Sequence, residues 1–70
     1  MKKLIKKESM KGDIYYHNLS AGRADCYMVA GRWEGNVVLA PQNQANNVVM
    51  IYTDNEMIEL QESGKLTYRA

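Results

Sequence analysis

The sequence predicts an all-β fold, a small antiparallel barrel or roll of five or six strands with a basic N-terminal arm. Apolar and polar side chains alternate with a period of two along most of the chain, which is typical of strands with one buried face. Turn-forming residues recur about every 8–12 residues, as in small sandwiches and barrels. At 70 residues the chain is long enough for one small domain.

The predicted strands are short runs separated by segments rich in glycine, asparagine and aspartate. They lie near residues 13–19, 25–30, 36–40, 47–53, 56–61 and 65–69. So many short strands in one small domain favour an SH3-like barrel, because closure removes unpaired sheet edges.

The strand at 47–53 is the most apolar. Its β-branched and aromatic run predicts a strand buried on both faces. Asp54 and Asn55 suit a two-residue hairpin turn, since both residue types tolerate positive φ. The alternative for the segment that follows is a helix that begins at an Asp54 N-cap.

Charge divides the chain into a basic arm at residues 1–11 and a barrel domain at residues 12–70. The arm has five lysines and one glutamate, whereas the rest has four cationic and seven acidic side chains. Arm lysines can neutralise nucleic-acid phosphates. The alternative, which we favour, is a solvated terminus or a terminal strand guarded by lysines. In the solvated case, deleting residues 1–10 leaves the melting temperature nearly unchanged. The lysines concerned are Lys2, Lys3, Lys6 and Lys7.

Composition excludes several kinds of chemistry. With one cysteine and one histidine, the chain has no intramolecular disulfide, multi-cysteine zinc site or three-histidine metal site. It also has no phosphate-binding loop and no G-x-S-x-G or H-E-x-x-H motif. Cys26 beside His17 on a neighbouring strand is one nucleophile–base arrangement the chain could form. We favour Cys26 as a small buried hydrophobic residue, and expect neither a metal nor a cofactor.

The expected location is the cytoplasm. A lone thiol suits a reducing compartment, and no apolar run approaches the ~20 residues of a membrane-spanning helix. We therefore expect no membrane partner.

Trp33 is the leading candidate for a binding residue. It lies between Gly31 and Gly35 and beside Arg32, in a predicted hairpin tip. A displayed tryptophan next to a cation is a good anchor for a protein or a stacked base. The alternative is a ring that folds back to cap the barrel.

Further candidates come from exposed aromatic, imidazole and amide groups. The amide-rich loop after Pro41 can read base edges or a partner backbone, or it can be an ordinary polar loop. These candidate binding residues are Tyr15, His17, Gln42 and Asn43.

Residues 12–16, Gly-Asp-Ile-Tyr-Tyr, resemble the opening strand of MazF/PemK-like toxins, and residues 48–53 look like that family's later apolar strand, which ends in a functional threonine. The resemblance implies an SH3-like barrel that cleaves RNA without a metal. It also implies a catalytic role for Thr53, with Arg23 as the nearest candidate for the family's arginine. Arg23 is followed by Ala24 where the family's arginine adjoins a proline.

A second resemblance is to Sm-like RNA-binding proteins. Gly31, Arg32 and Gly35, followed by Ala45 and Asn46 before an apolar strand, are similar to the first Sm motif. This resemblance implies a homo-oligomeric RNA-binding barrel.

Together these observations predict a small non-catalytic binding module of the accessory or inhibitor type, from a bacterium or a phage. Its expected partner is another protein or a second copy of the chain. The alternatives are a metal-independent MazF-like endoribonuclease and an Sm-like oligomer that binds RNA.

Overall fold

The computed structural model describes residues 5–43, 45 and 47–69, which form one sheet and one α-helix. The strands are all antiparallel and lie in the order β4-β3-β2-β1-β5. The elements are β1 (Ile14–Asn18), β2 (Ala24–Trp33), β3 (Asn36–Pro41), β4 (Met50–Tyr52), α1 (Asp54–Glu62) and β5 (Leu66–Arg69).

The antiparallel sheet is confirmed, and it has five strands. Within the described residues the sheet does not close, since β4 and β5 form its two edges. In that same part of the chain, no helix is long and apolar enough to cross a bilayer.

The predicted strand at residues 56–61 is wrong, because this segment belongs to α1 and the fold is therefore not all-β. The helix begins with a capping box around Thr53. The Glu56 backbone N–H donates to the Thr53 hydroxyl over 3.1 Å, and the Thr53 N–H donates to the Glu56 carboxylate over 3.0 Å. The predicted hairpin turn at Asp54 and Asn55 is replaced by the first turn of the helix. A helix was the stated alternative, but its N-cap is Thr53 and not Asp54.

The prediction of a doubly buried strand at residues 47–53 is also wrong. The strand covers only Met50–Tyr52 and lies at the sheet edge. Val48, Val49 and Ile51 are 61%, 52% and 45% exposed. Met50 and Tyr52 pack against the core, so only one face of this strand is covered.

The core lies between α1 and one face of the sheet. Along β1, β2 and β3 the buried residues alternate with half-exposed ones. Met57 is the residue that α1 adds to the buried cluster, and Leu66 is the one that β5 adds. The buried cluster consists of Tyr15, Tyr27, Val29, Val37, Leu39, Met57 and Leu66.

The β2–β3 hairpin is tight and its long strand is bulged. Glu34 and Gly35 both have positive φ, 51° and 82°, as a two-residue turn of the I′ kind requires. The register shifts between Val29 and Gly31, which leaves one extra residue in β2. Such a bulge bends the strand and increases its twist.

The described part of the arm packs on the domain without forming a strand or a helix. The Lys6 N–H donates to the Gln61 amide oxygen over 2.8 Å, and the Gln61 amide nitrogen donates to the Lys6 carbonyl over 2.9 Å. Ser9 is only 4% exposed and shares a 2.7 Å hydrogen bond with the Tyr15 hydroxyl. Lys2 and Lys3 lie outside the described residues.

Candidate functional site

The two faces of the sheet differ in what covers them. The face that carries the buried cluster is covered by α1. On the opposite face, which we call the outer face, the strand side chains are half-buried or exposed and mostly apolar. Strand alternation and register place on it Ile14, Tyr16, Cys26, Met28, Trp33, Val38, Ala40 and Ile51.

Register joins these residues into one continuous surface. Met28 lies opposite Ile14 on one side and opposite Ala40 on the other. Val38 lies opposite Ile51. Apolar side chains thus run across four neighbouring strands, from β1 to β4.

Trp33 ends β2 at one corner of the outer face and is 58% exposed. It is therefore displayed and does not cap the sheet. Gly31, two residues earlier, offers no side chain, and a Cβ built there meets no atom within 4 Å. Gly31 thus leaves open space beside its backbone, with Val38 opposite it on the next strand.

This region of the surface carries no charge. Residues 35–53 include no acidic or basic side chain, so β3 and β4 are both neutral. Among the described strand residues of the outer face, a charge appears at Arg69 on the far edge, opposite Ile14. Nucleic-acid surfaces are built from lysine and arginine, and the outer face is not of that kind.

Arg32 does not share the outer face with Trp33, because adjacent strand residues point to opposite sides. Its guanidinium donates to both oxygens of Asp54 over 2.9 and 3.2 Å. It also donates to the carbonyls of Gly35 and Ser9 over 3.0 and 3.1 Å. The hydrogen bonds to Asp54 raise the pKa of Arg32. Arg32 thus ties the hairpin and the arm to the start of α1.

Tyr15, a predicted binding residue, is fully buried and has no surface to offer a partner. Alternation along β1 turns its neighbour Tyr16 to the outer face instead. Burial raises the pKa of Tyr15, and the hydrogen bond with Ser9 offsets part of that effect.

His17, Gln42 and Asn43 lie away from the centre of the outer face. His17 is half-buried on the core side, and its ring centre lies 6.1 Å from that of Tyr27 in an edge-to-face arrangement. Gln42 and Asn43 are exposed just beyond β3 and make local hydrogen bonds. The Gln42 amide nitrogen donates to the Ala40 carbonyl, and the Asn43 amide oxygen accepts from the Ala45 N–H.

The arm lysines differ in what they contact. The Lys6 ammonium lies 3.5 Å from Asp13 and 5.1 Å from the ring centre of Tyr68. Burial lowers the pKa of Lys6, but Asp13 and Tyr68 outweigh it and the net shift is upward. Lys7 is exposed.

The structure separates the residues that catalysis would need together. His17 lies opposite Asp25, so the neighbouring Cys26 points to the outer face and away from the imidazole. Arg23 lies just before the start of β2. Thr53 follows β4 and lies near the opposite end of β2, and its hydroxyl caps α1. The described residues contain no group of three or more His, Cys, Asp or Glu that could hold a metal ion.

A cleft of ≈ 280 Å³ lies between α1 and β4. Of its two carboxylates, Glu56 is engaged in the capping box, whereas Glu59 is exposed. Its lining residues are Tyr52, Glu56, Glu59, Leu60, Ser63 and Lys65.

Sequence reasoning did not identify the outer face as a unit, although two signals point to it. One is the second apolar set in strands that alternate, such as Tyr16 and Met28. The other is the uncharged run at residues 35–53. Comparison with models of protein families, with curated proteins and with solved structures finds no match.

Proposed function

We propose that this chain is a small non-catalytic module that binds other protein surfaces through the outer face of its sheet. The observation that carries the proposal is the continuous apolar surface that α1 leaves uncovered. Four strands about 4.8 Å apart and about five residues long span roughly 300 Å² in projection. Apolar patches of a few hundred Å² on monomers are often functional.

The residue types on the outer face support the same proposal. Tryptophan, tyrosine and methionine are enriched in protein interfaces, whereas lysine and glutamate are depleted. Trp33, Tyr16 and Met28 supply the first group. Trp33 is the expected anchor, because an exposed indole can bury much of its area in a partner.

We also propose that the sheet is an SH3-like roll. The strand order supports this, since β5 returns to pair with β1 while α1 connects it to β4. The bulge in β2 supports it too, because bulges let a long strand bend from one layer into the next. On this proposal the outer face is the surface of the roll that is free for binding.

The test compares which proteins are retained from the native host by four immobilised forms of the chain. The forms are wild type, Trp33→Ala, Met28→Asp, and Glu59→Ala on the exposed side of α1 as the control. A partner held by wild type and Glu59→Ala but lost from the two outer-face variants supports the proposal. Equal retention by all four contradicts it.

With the purified partner, we expect Trp33→Ala to weaken binding by about 2 kcal/mol, or about 30-fold in Kd. The same substitution should change the free energy of unfolding by less than about 1 kcal/mol, because the ring is mostly exposed. A urea titration measures this second quantity. Unfolding of Trp33→Ala at room temperature would show that the ring is a core residue.

A further inference from the structure

We propose that the cleft between α1 and β4 binds a free α-amino acid with an apolar side chain. The cleft of ≈ 280 Å³ opens on the side of the sheet that α1 covers, because Tyr52 lies opposite the buried Val37 and packs against the core. It is therefore separate from the outer face, and a variant of one site leaves the other intact. Its volume lies just below the ~300–1,000 Å³ of pockets for drug-sized ligands, so the cleft suits a smaller molecule.

One side of α1 forms a wall of the cleft. Its lining residues lie three, four and seven positions after the first of them and therefore share that side of the helix. They are Glu56, Glu59, Leu60 and Ser63. Lys65 completes the lining beyond the helix. The Lys65 N–H donates to the Leu60 carbonyl, and the Lys65 carbonyl accepts from the Asn18 N–H, both over 2.9 Å, so the backbone that carries this side chain is held on both sides.

Two unlike charges in the cleft are unpaired. Glu59 and Lys65 are exposed, and neither side chain has an ion pair or a hydrogen bond within the part of the chain that the structure describes. Glu56, by contrast, accepts from the Thr53 N–H. The carboxylate of Glu59 and the ammonium of Lys65 thus line one cleft without meeting each other. A molecule that carries both charges can pair with each of them.

A zwitterion matches this pair of charges better than a cation or an anion does. A cation bound at Glu59 brings its charge near the Lys65 ammonium, and an anion bound at Lys65 meets the carboxylates of Glu59 and Glu56. Like charges brought together oppose binding, which is how charge patterns discriminate between ligands. In a free amino acid both charged groups are attached to one carbon atom. Its ammonium can therefore pair with Glu59 while its carboxylate pairs with Lys65.

The rest of the lining supplies apolar contact for the side chain of the ligand. Tyr52 and Leu60 are half-buried and pack against the core cluster. The Tyr52 hydroxyl donates to the Met50 sulfur over 3.5 Å, and the Ser63 hydroxyl donates to the Leu60 carbonyl over 3.1 Å. With both hydroxyls engaged, the cleft offers a phenol ring and an aliphatic side chain. We expect phenylalanine and leucine to bind better than glycine and serine, because they bury more apolar area.

The experiment is a titration of the full chain with L-phenylalanine, followed by the NMR chemical shifts of the backbone amides. Exposed ion pairs contribute little in an open cleft, so we expect a Kd on the order of 1 mM. The shifts should be confined to residues 52–65, which contain the lining. N-Acetyl-L-phenylalanine lacks the ammonium and L-phenylalaninamide lacks the carboxylate. Each should bind at least about fivefold more weakly than L-phenylalanine.

Matched substitutions test the two charged residues. Glu59→Gln and Lys65→Gln should each weaken the binding of L-phenylalanine by about fivefold, whereas Lys65→Arg keeps the cation and should bind like wild type. Lys7→Gln and Glu8→Gln remove the same charges from exposed positions of the arm and should leave the Kd unchanged. All five variants should melt like wild type, because the substituted side chains are exposed.

Four outcomes would overturn the proposal. No shift at about 20 mM L-phenylalanine, well above the expected Kd, would show that the cleft is only a gap between helix and sheet. Equal binding of N-acetyl-L-phenylalanine would show an apolar contact that is independent of charge, and equal or tighter binding of L-phenylalaninamide would make the occupant a cation. Shifts centred on Met28 and Trp33 would place the ligand on the outer face. Undiminished binding by Glu59→Gln and Lys65→Gln would remove these two charges from recognition.

Discussion

The buried hydroxyl of Tyr15 finds its hydrogen-bond partner in the arm. Its ring belongs to the core, 5.4 Å from the ring centre of Tyr68, and its hydroxyl meets Ser9. A buried tyrosine needs such a partner, because an unpaired hydroxyl in a core costs free energy. Burial favours the neutral form of the phenol, and the pairing with Ser9 connects the core to residues that precede β1.

This environment predicts a loss of stability at alkaline pH. The pKa of Tyr15 is raised in the fold, whereas an unfolded tyrosine ionises near pH 10. Between those values the unfolded chain has released a proton that the folded chain still holds, so stability falls as pH rises. Tyr15→Phe should lower the free energy of unfolding by about 1 kcal/mol at pH 7, with a shallower decline above pH 10. Urea titrations from pH 8 to 11 compare the two slopes, and parallel slopes would contradict the prediction.

At the scale of elements, the arm and α1 are joined through Gln61. This side chain is 2% exposed, yet it makes hydrogen bonds at both ends of its amide. It pairs with both backbone groups of Lys6, and it also donates to the Met57 carbonyl over 3.1 Å. The arm thus supplies hydrogen-bond partners for a polar side chain that the helix buries.

Deleting residues 1–10 should therefore destabilise the domain by at least about 2 kcal/mol, because Gln61 and the Tyr15 hydroxyl would lose buried partners. The expectation for a merely solvated terminus was no change. Thermal melts of the deletion and of Gln61→Ala should both shift downward, whereas Lys7→Ala, on an exposed side chain, should melt like wild type. An unshifted melt for the deletion would show that these contacts contribute nothing to stability.

At the scale of the whole molecule, charge is segregated across the sheet. The half formed by β3 and β4 is neutral, whereas ion pairs join the arm and the hairpin to their neighbours through Lys6–Asp13 and Arg32–Asp54. The charged half keeps the other side of the molecule solvated.

The period-two alternation of apolar residues predicted most strands of the sheet, but it did not predict which of their side chains are exposed. The strands near 13–19, 25–30, 36–40 and 65–69 were predicted because alternation is a local property of the sequence. Alternation divides β1 into two sets but does not say which set meets the helix, so Tyr15 was assigned to the surface.

The misplaced elements have a similar explanation. β-Branched residues at 47–53 indicate a strand but not how many neighbours it has, and an edge position follows only from the completed topology. The helix was only the alternative to a strand, and its N-cap was misplaced by one residue, because the signal that starts it is a reciprocal pair, Thr53 with Glu56. The display of Trp33 agrees with the glycines around it, whereas the engagement of Arg32 by Asp54 depends on a contact 22 positions away.

The position of β1 in the sheet has a consequence for the order of folding. β1 lies between β2, which follows it closely in sequence, and β5, whose Arg69 lies opposite Ile14 at a separation of 55 positions. Closing so long a loop costs more chain entropy than forming the neighbouring hairpins. The hairpins of β1 to β3 can therefore assemble early, while the β1–β5 pairing waits for the segment between them to become compact. Until that last step β1 is itself an open edge, and the newly collapsed chain is most exposed to mispairing at that moment.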